Sequence, residues 1–134
     1  MPIEYRSEAL LRNLAALHAD APEIRGSAII THDGLVIASY PPGWEADIHA
    51  PAGGENVAAM AAVVVGLAEK TLTRLDQGGL ERVVLEGERG TVCVLPATAD
   101  SALALLIAKE AKLGLILHAA RQTADQIRTI IDNR

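Results

Sequence analysis

Few side chains in this 134-residue sequence have the types and spacing that catalysis or metal binding requires. The four histidines, His18, His32, His49 and His118, are scattered, and none stands at metal-ligand spacing from another or from Cys93. Cys93 lies inside the apolar run TVCVLP, which is typical of a small buried hydrophobic residue, and no nearby base is evident that could activate it. The sequence therefore predicts no metal site, no cofactor and no nucleophilic centre.

Nucleotide chemistry has equally little support. The sequence has no G-x-x-x-x-G-K-[ST] loop, so a P-loop GTP site is not expected. The stretch GGEN could present backbone amides to an anion, although such glycines more often give a loop freedom before a helix. Arg74, Arg82 and Arg89 are candidates for an arginine donated to a GTPase transition state. The alternative is that these arginines solvate a helix end and a hairpin.

The composition argues against nucleic acid as a partner. The formal net charge is −5, and the only aromatic side chains are Tyr5, Tyr40 and Trp44, whereas nucleic acids favour basic surfaces and aromatic stacking. The N-terminus MPIEYRSEALL lacks the apolar core of a secretory signal, and no apolar run reaches about 18 residues, the usual lower range for a spanning helix. We therefore expect a cytoplasmic protein without membrane insertion.

Local patterns predict one domain, residues 1–134, with the element order αββαβββα. Asp33-Gly34 between two β-branched runs is a strong hairpin signal, because glycine accepts the positive φ of a tight turn. A Pro- and Gly-rich loop follows at 41–54, with Trp44 either as a lid on the core or as an exposed anchor for a partner. The predicted helices are 7–20, 56–75 and 112–134, and the predicted strands are 26–32, 35–40, 80–86, 91–97 and 101–108. Adjacent strands joined by short turns indicate an α+β fold with a five-stranded antiparallel sheet.

The second predicted helix is unusually apolar, since residues 57–68 contain no charged or hydroxyl side chain. A helical wheel groups its larger apolar residues into a face that we expect to pack on the sheet: Val57, Met60, Val64, Leu67 and Leu75. The opposite face carries Ala59, Ala62 and Gly66, flanked by Val63 and Val65. Such small residues would let a second helix approach closely. The alternative is that they are good helix formers on a solvated face, although Gly66 does not fit that description.

Four passages together resemble the Roadblock family, which includes dynein light chains and bacterial regulators of Ras-like GTPases. They are GSAIITHDGLVIAS, VAAMAAVVVGLAEKTL, RVVLEGERGTVCVLPA and SALALLIAKEAKLGLILHAARQTADQI. The resemblance implies profilin-like layering, with the central helix on one face of the sheet and the terminal helices on the other. It also implies a homodimer in which strand three lies at the sheet edge and pairs with its mate, beside paired central helices. The expected interface residues are Ala58, Ala62, Val65, Gly66, Glu69, Arg82, Val83, Val84, Leu85 and Glu86.

The functional expectation follows from this resemblance together with the missing catalytic groups. We expect a non-enzymatic homodimeric regulator or scaffold that binds a small Ras-like GTPase and modulates its nucleotide state. Two alternatives stay open, a structural adaptor without a GTPase partner and a small-molecule sensor that uses a cleft under the 41–54 loop.

Overall fold

A computed structural model of the chain describes residues 3–46 and 50–132 and has the predicted element order. The helices are α1 (Ile3–Asp20), α2 (Gly54–Arg74) and α3 (Leu113–Asp132), with a short 3-10 helix at Trp44–Ala46. The strands are β1 (Ile24–Thr31), β2 (Val36–Tyr40), β3 (Val83–Glu86), β4 (Gly90–Thr98) and β5 (Ser101–Ala108).

Most predicted boundaries agree with these elements to within a few residues. The larger differences are that α1 begins at Ile3 rather than near residue 7, and that β3 begins at Val83 rather than near residue 80. Parts of three predictions, namely His49, the middle of the 41–54 loop and the last two residues of the third helix, lie outside the described residues.

The five strands form one antiparallel sheet in the order β2-β1-β5-β4-β3. The β1–β2 hairpin turns at Asp33-Gly34 as predicted, and Gly34 has φ +83°, which a residue with a side chain rarely adopts. Among the described strands, β3 pairs only with β4 and therefore lies at one edge of the sheet, while β2 forms the other. The edge position that the family resemblance implied for strand three is thus confirmed.

The helices cover opposite faces of this sheet. The inward sides of α1 and α3 bury one set of sheet side chains, among them Cys93, Leu95 and Leu105. The alternate residues of the same strands, among them Val94 and Ala104, pack on the other face under α2. Because β5 is covered on both faces, its sequence SALALLIA is apolar almost throughout rather than alternating. The predicted α+β fold with profilin-like layering is confirmed.

Trp44 closes one end of the α2 layer, as the lid interpretation of this residue predicted. Its ring lies against the backbone of β1 and α2, since a Cβ built on Gly26 would stand 2.5 Å from the indole and one built on Gly54 would stand 2.9 Å from it. The indole nitrogen donates a hydrogen bond to the carbonyl of Ala52 at 3.0 Å. Both glycines are therefore required by close approach of the ring rather than by backbone conformation.

Candidate interaction surface

The face that α2 turns towards the sheet differs from the wheel prediction. Ala58, Ala61 and Val65 are only 0%, 2% and 4% exposed, and they pack on β1, β4 and β5 residues. Of the five residues predicted to face the sheet, Val57 is buried and Val64 is partly buried. The other three are wrongly placed by the prediction and are largely solvent-exposed: Met60, Leu67 and Leu75. Alanine has no side chain beyond Cβ, so an alanine-rich face lets the helix backbone lie close to the sheet.

The small residues beside this buried face meet the chain's own hairpin. A Cβ built on Gly34 would lie 3.2 Å from Cα of Ala59 and 3.5 Å from Cβ of Ala62. These alanines therefore make room for the β1–β2 turn. Two of the predicted interface residues, Ala58 and Val65, are buried in the chain's own core, while the helix–helix contact predicted for the small-residue face stays a prediction.

A different face of α2 is apolar and exposed. Met60, Val63 and Leu67 are 61%, 62% and 66% exposed, and Leu85 on β3 is 47% exposed. These four residues are named here the apolar surface. An adjoining groove of about 210 Å³ lies between α2 and the β3 side of the sheet and is lined in part by Met60, Leu85, Val64, Val92 and Leu106. Because these side chains are already about one third to one half buried, covering the rest is worth roughly 1–2 kcal/mol each. An exposed apolar area of this kind indicates a binding surface.

The two edges of the sheet differ in how well they are protected against further pairing. β2 has a register shift where Ile29 pairs with Ala38 and Ile30 pairs with Val36, which leaves Ile37 as an extra residue, and Pro41 follows the strand directly. Bulges and prolines are devices that blunt an edge. β3 instead pairs with β4 in an uninterrupted register from Val83 to Glu86 and contains no proline. Its free side therefore remains open to another strand, next to the apolar surface.

Ser27 and Cys93, the two described side chains that could act as nucleophiles beside a base or as a thiolate, are buried inside the fold. His18 Nε2 lies 2.8 Å from Ser27 Oγ, a spacing seen in serine–histidine pairs, but Ser27 is 0% exposed and no substrate can reach it. Burial also raises the pKa of the Cys93 thiol to about 11, which keeps the thiol protonated. Among residues 3–46 and 50–132, no group of three or more histidine, cysteine or acidic residues is arranged to hold a metal ion.

The three candidate arginines are exposed, whereas the glycine stretch that could bind an anion is partly buried. Arg74 ends α2, Arg82 precedes β3 and Arg89 lies in the β3–β4 turn, and all three are exposed. Gly54 of the GGEN stretch is buried beneath Trp44. These placements leave the proposed anion site with no supporting feature.

The length and composition of α2 also meet the criteria for a membrane-spanning helix. This helix covers 21 residues, and 22% of its most apolar window is buried within the chain. A core helix of a soluble protein has similar length and composition when it is mostly buried, whereas α2 packs Ala58, Ala61 and Val65 on the sheet and leaves most of its apolar residues exposed or only partly buried. Its exposed apolar side is the part that needs another explanation.

The partly buried His18 is expected to make the stability of the fold depend on pH. Burial lowers the pKa of His18 below its ordinary value of 6.5. The unfolded chain then binds more protons than the folded chain, so this residue reduces the free energy of unfolding as the pH falls below about 6.5. Replacing His18 with glutamine is expected to flatten the melting temperature between pH 7 and pH 5 relative to the wild type. An unchanged slope in the variant would contradict this assignment.

Gly66 offers a direct test of which α2 face is free. Gly66 lies in the middle of α2 and is exposed to solvent, and a Cβ built there meets no atom within 4 Å. Gly66→Ala is therefore expected to raise the free energy of unfolding by roughly 0.5–1 kcal/mol, because alanine is the better helix former. Chemical denaturation measures this change. A weakened dimer in the same variant would instead support the close helix contact at Gly66 that the sequence suggested.

Known proteins match both the sequence and the fold. Residues 10–107 match the Roadblock/LC7 domain. Two uncharacterised proteins of Methanocaldococcus jannaschii are each 36% identical over 107 residues, which is 80% of this chain and 87% or 84% of theirs.

Solved structures with lower sequence identity share the fold. A gliding protein MglB of Thermus thermophilus has a TM-score of 0.82 at 19% identity, over 96% of this chain and 93% of that one. A Roadblock/LC7 domain of Streptomyces avermitilis has a TM-score of 0.79 at 20% identity, over 92% of this chain and 98% of that one. The sequence match and the shared fold agree, and the chain belongs to the Roadblock/LC7 domain family.

Proposed function

We propose that the protein acts as a homodimer built on the apolar surface and the free edge of β3. The observation that carries this proposal is their adjacency, since Leu85 of β3 and Met60 of α2 line one groove beside an unprotected strand. Pairing of two β3 strands would continue the sheet and bring the two α2 helices together over the seam. The dimer would then cover both the apolar surface and the free edge of β3, which a single chain leaves exposed.

The interface in this proposal combines predicted and newly found residues. The β3 residues expected from the sequence remain in it, together with Arg82 and Glu86 at its ends. On α2, the apolar surface replaces the small-residue face, because Glu69 and Ala62 line a separate cavity beside Thr31 and His32. The resulting interface residues are Met60, Val63, Leu67, Arg82, Val83, Val84, Leu85 and Glu86.

The proposed role of this dimer is to bind a small Ras-like GTPase and to regulate or scaffold it in the cytoplasm. Two considerations support this role. Roadblock/LC7 proteins are generally regulators or adaptors, and the MglB fold matches nearly the whole chain. In addition, the described residues offer no exposed catalytic pair or metal cluster, so a broad surface acts by binding.

The regulatory form of this proposal requires a preference for one nucleotide state, because only differential affinity shifts a switch equilibrium. A Ras-like GTPase recovered with the protein from its native host is loaded in turn with GDP and with a non-hydrolysable GTP analogue. The two affinities are expected to differ by at least about tenfold, or ~1.4 kcal/mol. Calorimetry of the protein with GTP alone is the control and is expected to give no heat of binding.

The outcomes of this experiment separate the candidate roles. Equal affinities for the two nucleotide states would leave a scaffold without regulation. No binding in either state would favour the structural adaptor. The sensor alternative keeps a candidate cleft, because the loop residues Pro51 and Ala52 line the groove between α2 and β3, and a ligand that raises the melting temperature of the protein alone would favour it.

A further inference from the structure

The residues in and beside β3 alternate between the two faces of the sheet, so that Leu85 lies on one face and the charged residues lie on the other. Leu85 lies on the α2 face, where it lines the groove with Met60. Val84 lies opposite Cys93 and packs against the core beneath α1 and α3. Since side chains alternate along a strand, Arg82 and Glu86 belong to the same face as Val84, two residues to either side of it.

The symmetry of a dimer restricts how two copies of this strand can pair. A two-fold axis perpendicular to the sheet keeps each residue on its own face, so residues that lie opposite each other must come from the same face. A shift of one residue would set Val84 opposite a residue of the α2 face and is excluded. The registers that remain are shifted relative to one another by two residues.

In only one of these registers does every residue from 82 to 86 lie opposite a residue of opposite charge or, for the apolar ones, another apolar residue. When Val84 lies opposite the partner's Val84, each Arg82 lies opposite a Glu86 of the other copy, and Val83 lies opposite Leu85. A shift by two residues in one direction sets Arg82 opposite Val84, and the same shift in the other direction sets Glu86 opposite Val84. The first shift leaves both charges without an opposite charge to face, and the second sets Arg82 opposite Glu88, which lies beyond the strand in the β3–β4 turn.

We propose that Arg82 and Glu86 form two symmetric ion pairs between copies of β3, which set the register and select a second copy of this chain for this edge. This inference rests on the proposed dimer and adds its register and its means of selection. Both side chains are exposed in the single chain, so neither carries a desolvation cost there. Opposite charges on facing residues of an antiparallel pair stabilise it, while like charges destabilise it.

Exchange of the two charges tests the proposal. Arg82→Glu and Glu86→Arg should each weaken self-association by at least about tenfold, because every single change creates two like-charge contacts. The double variant, with both charges exchanged, should return to within about threefold of the wild type. An equimolar mixture of the two single variants should form a mixed dimer preferentially, since one chain then carries two acidic residues and the other carries two basic ones.

Controls connect the result to these two positions. Glu88→Arg reverses a charge in the neighbouring turn and should leave the dimer unchanged, while Arg82→Gln should reduce its sensitivity to salt. Sedimentation velocity over a concentration series measures all variants, with circular dichroism confirming that each is folded. A wild-type dimer that ignores both charge reversals would overturn this inference alone. A monomeric wild type would overturn the proposed dimer and this inference together.

Discussion

Replacing Val63 with glutamate is expected to produce a folded monomer. Val63 is 62% exposed on α2, so a carboxylate there costs the single chain little. In the proposed dimer, each copy would bury one such carboxylate in the interface, without an opposite charge beside it. Burial of an unpaired charge costs several kcal/mol, and the dimer is therefore expected to weaken by at least about 100-fold, or ~2.7 kcal/mol.

A matched control lies on the same helix. Thr73→Glu adds the same charge at an exposed position that lies outside the apolar surface, and it should leave both fold and dimer intact. Light scattering across a micromolar concentration series gives the molar mass of each variant. A Val63→Glu protein that keeps the mass of a wild-type dimer would refute the interface. A wild type that is monomeric at these concentrations would refute the dimer itself.

The fold was predictable because its signals are local. Asp33-Gly34 specifies a turn by the conformation that glycine allows, and the structure has that turn with Gly34 at φ +83°. SALALLIA is a short apolar run flanked by turn residues, and β5 covers the predicted residues, Ser101–Ala108. Neither feature depends on where distant parts of the chain lie. The start of β3 was less predictable, because the apolar pattern at 80–86 begins before the strand pairs with β4 at Val83.

The orientation of α2 was predicted incorrectly for a physical reason. This helix has apolar residues on most of its circumference, so hydrophobicity alone does not show which side packs on the chain's own sheet. Ranking residues by size placed Met60 and Leu67 inside, where the structure has Ala58 and Ala61. A usable signal was present in the spacing, because the buried or partly buried inner stripe repeats at intervals of three and four residues: Ala58, Ala61, Val65, Ala68 and Leu72.

The position of Trp44 illustrates a contact that local patterns do not contain. Its ring fills the space beside Gly26 and Gly54, which come from different elements and are distant in sequence. The sequence offered a tryptophan in a loop and two glycines, but not the fact that they meet. The apolar surface is similar in this respect, because Leu85 joins Met60 only when β3 and α2 come together in the fold.

The last prediction separates the core face of α2 from its outer face. Ala58 is 0% exposed beneath the helix, so Ala58→Glu would place an unpaired carboxylate among Ile30, Val94 and other buried residues. The expected loss is about 3–5 kcal/mol, a large part of the ~5–15 kcal/mol that stabilises a typical domain, and the variant should be mostly unfolded on warming. The control Thr73→Glu adds the same charge at an exposed position of the same helix and should change the free energy of unfolding by about 0.5 kcal/mol or less.

Thermal unfolding followed by circular dichroism, together with the molar mass, distinguishes the two faces. Ala58→Glu should lose fold and dimer together, whereas Val63→Glu should lose only the dimer. If Ala58→Glu instead melts like the wild type but is monomeric, Ala58 belongs to the contact between copies, as the family resemblance first implied. In that case Ala58 is not sealed against the sheet in the single chain, and α2 must pack on the sheet through a different face.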